Sequence, residues 1–458
     1  MHKKNEIVRL TVTDLNNLGF GVGHLDGMAV FIADAVDGDE ADVRLIRVCK
    51  TYAVGKIERL ITPSPSRIPS ACDVRGCGGC AYRAIRYESE LLKKENNVRF
   101  AFRKAGLGDV TVLPVTATGK TAHYRNKAQY AVAPDKEGKC AAGFYAPKSH
   151  RLCAAVGCPL QNEAFAPIVR DVLDFCNENG IPPYDEQTKR GVLRHIYLRA
   201  SSDGRVMLTL VGTVAPFPKE KALLDHLRTR HGEIVGIYLN QNDADTNLIC
   251  SSDYRHLWGE THLRDTLAGV RLAISPASFY QVNHDATELL YAKVAELGGF
   301  TGDETVVDLY SGVGSIALSL AHRVKKVIGV EIVAAATECA KQNARDNAIE
   351  NATFLCADAG DAQALFDAVR QAEGKDFRPD AVVLDPPRAG CAESLLSYLC
   401  DNVCPAKILY VSCNPDTLAR DARFLTDRGY ALSDVYPFDL FPRTGHVESL
   451  VCLTRQTN

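Results

Sequence analysis

The chain is 458 residues long, with 46% hydrophobic and 24% charged residues, the proportions of a globular protein long enough for about three domains rather than of a disordered or fibrous one. No apolar run approaches the roughly 18 residues of a membrane span, and the polar start Met1-His-Lys-Lys-Asn-Glu6 has no signal-peptide core, so a cytoplasmic protein with no membrane partner is expected. The net charge of −3 hides a gradient: from Ala81 to Arg151, 14 Lys or Arg face 6 Asp or Glu, which leaves −11 on the rest, and such a basic stretch suits either a phosphate-binding face or a merely solvated surface.

From Glu6 to Ile61, short β-branched runs alternate with the turn signals Asn16-Asn-Leu-Gly-Phe-Gly-Val-Gly23, Leu25-Asp-Gly27 and Val36-Asp-Gly-Asp39, which predicts a small β-barrel over residues 1–62. A Pro/Ser linker, Thr62-Pro-Ser-Pro-Ser-Arg-Ile-Pro69, ends it. Sixteen cysteines in a reducing compartment do not make a disulfide framework, so the cluster Cys72-x4-Cys77-Gly-Gly-Cys80 points to metal. With one distant partner it has the spacing of a plant-type iron–sulfur site, and zinc is the other candidate. A helix is predicted near Tyr87 to Ala105 and another near Glu163 to Asn179, with strands at Val192 to Ala200 and Val206 to Val211. Residues 63–271 therefore read as an α+β central domain.

Beyond Leu272 helical segments alternate with short apolar strands at Thr305 to Leu309, Lys326 to Val330, Thr353 to Cys356, Ala381 to Leu384 and Ile408 to Val411. That rhythm predicts a Rossmann-like α/β domain over residues 272–458, with a parallel sheet and crossover helices. Two last strands, about Ala431 to Val435 and Ser449 to Leu453, lack a long helix between them and predict an antiparallel hairpin at the end.

Within this domain, Asp308-Leu-Tyr-Ser-Gly312-Val-Gly314-Ser-Ile-Ala317 joins a strand to a helix, the place for a glycine turn under a nucleotide. Glu331 ends the next strand, where a carboxylate can accept from both hydroxyls of a ribose. The loop fits a dinucleotide, S-adenosylmethionine or a plain structural turn, and its late position and the antiparallel ending favour a methyltransferase. Asp385-Pro-Pro-Arg388 follows the fourth strand; an amine methyltransferase would carry an aromatic residue where Arg388 stands.

Ser412-Cys413-Asn414-Pro415 lies past the fifth strand, with Pro415 placed to open a helix. A thiolate there can add to C6 of uracil and make C5 nucleophilic, and a helix N-terminus favours the thiolate. A small core cysteine is the bland alternative. The reaction also needs a base for the C5 proton, and Phe441-Pro-Arg-Thr-Gly-His446-Val-Glu448 offers Glu448 at the head of the last strand. His446, two residues earlier, is expected on the same strand face, either in catalysis or satisfying a loop hydrogen bond.

Five motifs stand in one order: Ser275-Pro-Ala-Ser-Phe279-Tyr-Gln281-Val-Asn283, Asp308 to Gly314, Asp385-Pro-Pro-Arg-Ala-Gly390, Val411-Ser-Cys-Asn-Pro-Asp-Thr-Leu-Ala-Arg420 and Thr444-Gly-His-Val-Glu448. In this the chain resembles, over nearly its whole length, the bacterial RNA uracil-C5 methyltransferases that make 5-methyluridine in 23S ribosomal RNA. The resemblance implies S-adenosylmethionine contacts at Gln281, Tyr310, Glu331 and Asp385, around the glycines Gly312 and Gly314, with Asp358 near the adenine. It implies Cys413 as nucleophile, Glu448 as proton-abstracting base, and a flipped uridine in an RNA loop as target. The first 62 residues resemble a TRAM domain, an RNA-binding barrel, at Gly19-Phe-Gly-Val-Gly23 and Gly27-Met-Ala-Val-Phe31. The resemblance further implies a [4Fe-4S] cluster on Cys72, Cys77, Cys80 and Cys158, with Cys153 the rival for the fourth place. Two departures surround that cluster: the first gap is one residue short, and Arg83-Ala84 replaces the family's Gln-His. A monomer is expected. Transfer RNA as substrate, an amine methyltransferase and a non-catalytic RNA-binding assembly factor are the competing readings.

Overall fold

The computed structural model describes residues 2–147, 149–246 and 248–456. Its first sheet comprises β1 (Ile7–Thr11), β2 (Asp14–Leu15), β3 (Gly21–Leu25), β4 (Met28–Ala33), β5 (Glu40–Val48) and β6 (Tyr52–Thr62). They hydrogen-bond in the order β1-β5-β6-β4-β3-β2. Alternate residues of β4 and β5, among them Val30, Ile32, Val43 and Leu45, fill its interior, as the two-residue period of a strand requires. Register breaks along β5 and β6 bend the sheet around this core.

Helix α1 (Tyr87–Lys104) follows the cysteine loop. Next come β7 (Lys127–Pro134), β8 (Cys140–Tyr145), β9 (Leu152–Ala154), α2 (Phe165–Glu178), β10 (Leu193–Ala200), β11 (Val206–Gly212), α3 (Glu220–Arg230), β12 (Ile234–Gln241) and β13 (Tyr254–Gly259). These seven strands form one sheet in the order β13-β12-β11-β10-β7-β8-β9. Every residue of β10 and β11 is buried, because α2 and α3 share a core with these central strands. A hairpin, β14 (Leu263–Leu267) with β15 (Val270–Ile274), leads to the last unit.

That unit contains α4 (His284–Gly298), β16 (Thr305–Leu309), α5 (Ser315–Leu320), β17 (Lys326–Glu331), α6 (Ala334–Asp346), β18 (Ala352–Cys356), α7 (Ala362–Glu373), β19 (Ala381–Leu384), α8 (Glu393–Tyr398), β20 (Lys407–Ser412) and α9 (Pro415–Thr426). It ends in β21 (Tyr430–Leu432), β22 (Tyr436–Phe438) and β23 (Glu448–Arg455). The sheet order is β18-β17-β16-β19-β20-β23-β21, with β22 also paired to β23. Strands β16 to β20 pair in parallel, and the order reverses between β16 and β19, the position at which doubly wound sheets open a ligand crevice. The expected antiparallel ending takes a particular form. Strand β23 inserts between β20 and β21, antiparallel to both, which places Glu448 opposite Phe438 at the edge where β20 ends.

Helix α1 buries Val98, Ala101 and Phe102 in the same core as Leu418 and Ala422 of α9. It therefore belongs by packing to the face of the C-terminal sheet. Among the described residues no helix is long and apolar enough to cross a membrane.

Candidate active site

Three connections at the carboxyl edge of the parallel sheet converge on one cleft. After β16 the chain turns through Tyr310, Gly312 and Gly314, all at positive φ (69°, 55° and 83°). Gly314 is obligatory on two counts: its φ, and the 2.8 Å at which an added Cβ would meet Phe354. Asp308 anchors the turn, its Oδ2 accepting from the Ala317 amide at 3.0 Å. Its Oδ1 and the Ser311 hydroxyl are buried and have no partner, and both residues line the cleft with Gln281, Tyr291 and Asp385. Unsatisfied buried oxygens beside a glycine turn form a cradle for a polar ligand, and S-adenosylmethionine fits the acidic donor set.

Glu331, expected on a ribose, spends both oxygens on the loop: Oε2 accepts from the Gly312 amide at 2.9 Å and Oε1 from Val333 at 2.8 Å. Each oxygen retains a further lone pair, so the carboxylate both shapes the turn and can accept from a ligand. Asp358 lies exposed past β18, its Oδ1 accepting from the Gly360 amide. Gln281 donates from Nε2 to Asp385 Oδ2 at 3.4 Å. Burial raises the Asp385 carboxyl to about 7, against the opposing effect of that hydrogen bond.

Cys413 sits between β20 and α9. Asn414 caps α9, its side chain accepting from the Asp416 amide at 3.2 Å, with Pro415 in the first turn. The helix does not make this thiol acidic. Burial pushes it to about 11, the neighbouring Glu448 carboxyl adds to the rise, and a hydrogen bond with Arg388 and that residue's charge oppose it. Glu448 is itself 2% exposed, and burial first, then Asp385, hold its carboxyl far above the ordinary range, with Arg388 pulling the other way. The thiol, both carboxyls and the guanidinium thus form one electrostatic unit. Arg388 was legible only as a missing aromatic; its partnership with Cys413 depends on folding. The Arg388 carbonyl accepts from Asn414 Nδ2 at 3.0 Å, so the connections after β19 and β20 are tied together.

His446 departs from its expected place. Strand β23 begins at Glu448, so the imidazole lies in the preceding loop, its Nε2 3.3 Å from Arg388 Nη2. Burial and the charge of Arg388 lower it to about 4, so the ring is neutral near pH 7 and accepts the Arg388 proton. The loop is clamped from outside. Lys94 of α1, fully buried, donates to Glu90 at 2.8 Å, to Asp439 at 2.7 Å and to the Phe441 carbonyl at 3.0 Å. Glu90 in turn accepts from the Arg443 amide at 2.6 Å, and Tyr87 donates to Asp439 at 2.7 Å. Gly445 completes the contact, since a Cβ there would stand 1.7 Å from the Asn17 carbonyl of the first sheet.

The cysteine loop answers its expectation only in part. Cys77 and Cys158 each feel the charge of Cys72. Burial raises Cys80 to about 12, with Cys158 and Cys77 adding to the rise. Burial is also the main cause that raises Cys77 and Cys158, and neighbouring thiols of this kind have the donor chemistry of a thiolate-bound metal group. Among the described residues, however, no three His, Cys, Asp or Glu side chains converge as a ligand set. Cys153, the rival ligand, is buried with its Sγ 3.9 Å from the Arg75 carbonyl, and Cys77 feels its charge.

Comparison with known proteins accords with this geometry. Residues 241–456 match the tRNA (Uracil-5-)-methyltransferase family and residues 2–57 the TRAM domain. An uncharacterized RNA methyltransferase of Halalkalibacterium halodurans is 39% identical over 453 residues, 98% of this chain and 97% of that one. The chain belongs to the RNA (uracil-5-)-methyltransferase family. A second member, from Bacillus cereus, is 38% identical over 456 residues, 99% of this chain and 97% of its own. Among solved structures, the Pyrococcus abyssi tRNA (uracil-54, C5)-methyltransferase in complex with S-adenosyl-L-homocysteine aligns with a TM-score of 0.77 and 27% identity, covering 98% of this chain and 100% of that one.

Proposed function

We propose that the chain methylates C5 of a flipped uridine in a loop of 23S ribosomal RNA, using S-adenosylmethionine bound at the β16 turn by Gln281, Tyr310, Asp385 and the Gly312–Gly314 backbone. The observation that carries this reading is the convergence of Cys413, Arg388, Glu448 and Asp385 at one sheet edge. S-adenosylmethionine supplies an electrophilic methyl group. The Cys413 thiol gives its proton to solvent, a step opposed by burial and helped by Arg388, and Sγ adds to C6 of uracil as the C5–C6 double bond opens, making C5 the nucleophile. Once C5 carries the methyl group, ionised Glu448 removes its remaining hydrogen, the C5–C6 double bond re-forms and the thiolate leaves. Asp385 and Glu448, raised by burial, would be held in their ionised forms by a cation bound nearby, and Glu448 acts in that form. His446, neutral and within reach of Arg388, orients the guanidinium.

Cys72, Cys77, Cys80 and Cys158 are the residues that would hold a [4Fe-4S] cluster, with a structural or RNA-positioning role, since methyl transfer needs no redox step. Iron and sulfide in anaerobically purified protein support this assignment; stoichiometric zinc without iron overturns it.

Ribosomal RNA is the substrate of the enzymes that the five motifs resemble. The T-loop of transfer RNA is the second reading, favoured by the structural relative that acts on tRNA uracil 54. Mapping 5-methyluridine by mass spectrometry in RNA from cells with and without the gene separates them. Loss from 23S RNA alone supports the first, loss from transfer RNA the second, and no loss from either RNA counts against both.

A further inference from the structure

The cleft that holds Cys413 continues past Arg388 and His446 along α1 to the Asp14–Asn17 edge of the first sheet, enclosing about 740 Å³. Asn96, Asn97, Phe100 and Lys104 recur on the cleft side of α1 at intervals of three and four, one face of a helix. Phe100 is 64% exposed, whereas Phe102, two residues on, is 1% exposed in the core. The ring therefore stands in the cleft wall among polar side chains. Two of the cations nearby are already committed: Lys93 pairs with Asp14 and Asp37 at 2.8 and 2.7 Å, and Arg99 with Glu95 at 2.7 Å. Arg103 is exposed, and Lys104 meets Asp416 only at 3.6 Å with both side chains more than half exposed, so these two can turn to a ligand.

An exposed aromatic ring flanked by exposed cations and amides, in the same cleft as Cys413, matches the chemistry of single-stranded RNA: stacking that any base satisfies, and phosphate neutralisation. We infer that this face of α1 carries the RNA strand adjoining the target uridine, with Phe100 stacked on a neighbouring base and Arg103 and Lys104 on its phosphates. The inference rests on the RNA-methylating reading above and adds a substrate surface to it. It also gives a use to two cations of the basic 81–151 stretch, Arg103 and Lys104, which the catalytic residues leave unused.

The test uses the full-length protein and a fluorescein-labelled oligouridylate, with uridine monophosphate as control. Phe100→Ala is expected to weaken oligonucleotide binding about 5- to 100-fold while leaving the mononucleotide unaffected. Arg103→Gln is expected to flatten the dependence of log affinity on log salt by about 0.7. Phe100→Trp is expected to retain affinity and to show indole quenching on titration, beyond any change from Trp258, the single native tryptophan. Wild-type affinity in Phe100→Ala, or an unquenched Trp at position 100, overturns the inference. Phe100-dependent binding by a protein that methylates no RNA leaves the surface standing and removes the methyltransferase reading instead.

Discussion

Replacing Arg388 with Met removes a cation that lowers the Cys413 thiol, while the backbone carbonyl that holds Asn414 stays in place. Burial already pushes the thiol to about 11 and Glu448 and Asp385 add to the rise, so the thiol loses its electrostatic support. A hydrogen bond to an ionised group contributes about 1.5–3 kcal/mol, and a factor of ten in an equilibrium corresponds to about 1.4 kcal/mol. The thiolate fraction at pH 8 should therefore fall about 10- to 100-fold. Alkylation by iodoacetamide, followed by mass spectrometry of the peptide containing Cys413, reads this directly despite the 16 cysteines of the chain. The pH–rate profile should move to higher pH in Arg388→Met and stay near wild type in Arg388→Lys, which keeps the charge. His446, lowered to about 4 by burial and then Arg388, should titrate closer to its ordinary range in the Met variant. An unchanged alkylation profile would show that Arg388 does not act on the thiol.

On the proposed reading, Asp385 makes cosubstrate binding depend on pH. Its carboxyl, raised to about 7, is neutral below that pH and ionised above it, and a sulfonium binds the ionised form. Calorimetric affinity for S-adenosylmethionine should thus fall by up to tenfold per unit below pH 7 and level off above it, a slope that Asp385→Asn abolishes; a flat wild-type profile removes this role. Lys94→Met strands Glu90 and Asp439 in the interior and should cost about 3–5 kcal/mol in urea unfolding, whereas an unshifted transition means the clamp on the 439–448 loop is not what holds it. Glu448→Gln should accumulate a covalent RNA complex on ordinary uridine, visible as a shifted band on denaturing gels; clean turnover by that variant assigns the proton to another group.

The parallel strands were legible almost to the residue, β16 and β19 with the bounds expected, because strands buried on both faces are continuous apolar runs. The place of Cys413 was legible for a different reason: Asn414-Pro415 is a helix start in any fold. Contacts between distant segments were not. Lys94 lies in a basic, amphipathic helix and reads as solvent-facing until Asp439, 345 residues away, is folded against it. Arg388 reads as a lost aromatic, and only the packing of the β19 connection against the β20 connection reveals its thiol partner. Any lowering of the Cys413 thiol by the helix N-terminus is opposed by burial and by the carboxyls that the inserted strand β23 and the β19 turn bring beside it, which no local sequence pattern reveals. His446 was misplaced for a related reason: strand β23 starts at Glu448, where it pairs with Phe438, and the two residues before it belong to the loop instead of continuing the strand face.

The central claim is that Cys413 attacks C6 of uracil. Incubating the full-length protein with S-adenosylmethionine and target RNA carrying 5-fluorouridine tests it most directly, because fluorine at C5 cannot leave as a proton and the adduct persists. A denaturation-resistant complex whose crosslinked peptide contains Cys413, absent in Cys413→Ala, is the predicted result; an equally abundant complex in Cys413→Ala, or none in the wild type with RNA that it methylates, would contradict it.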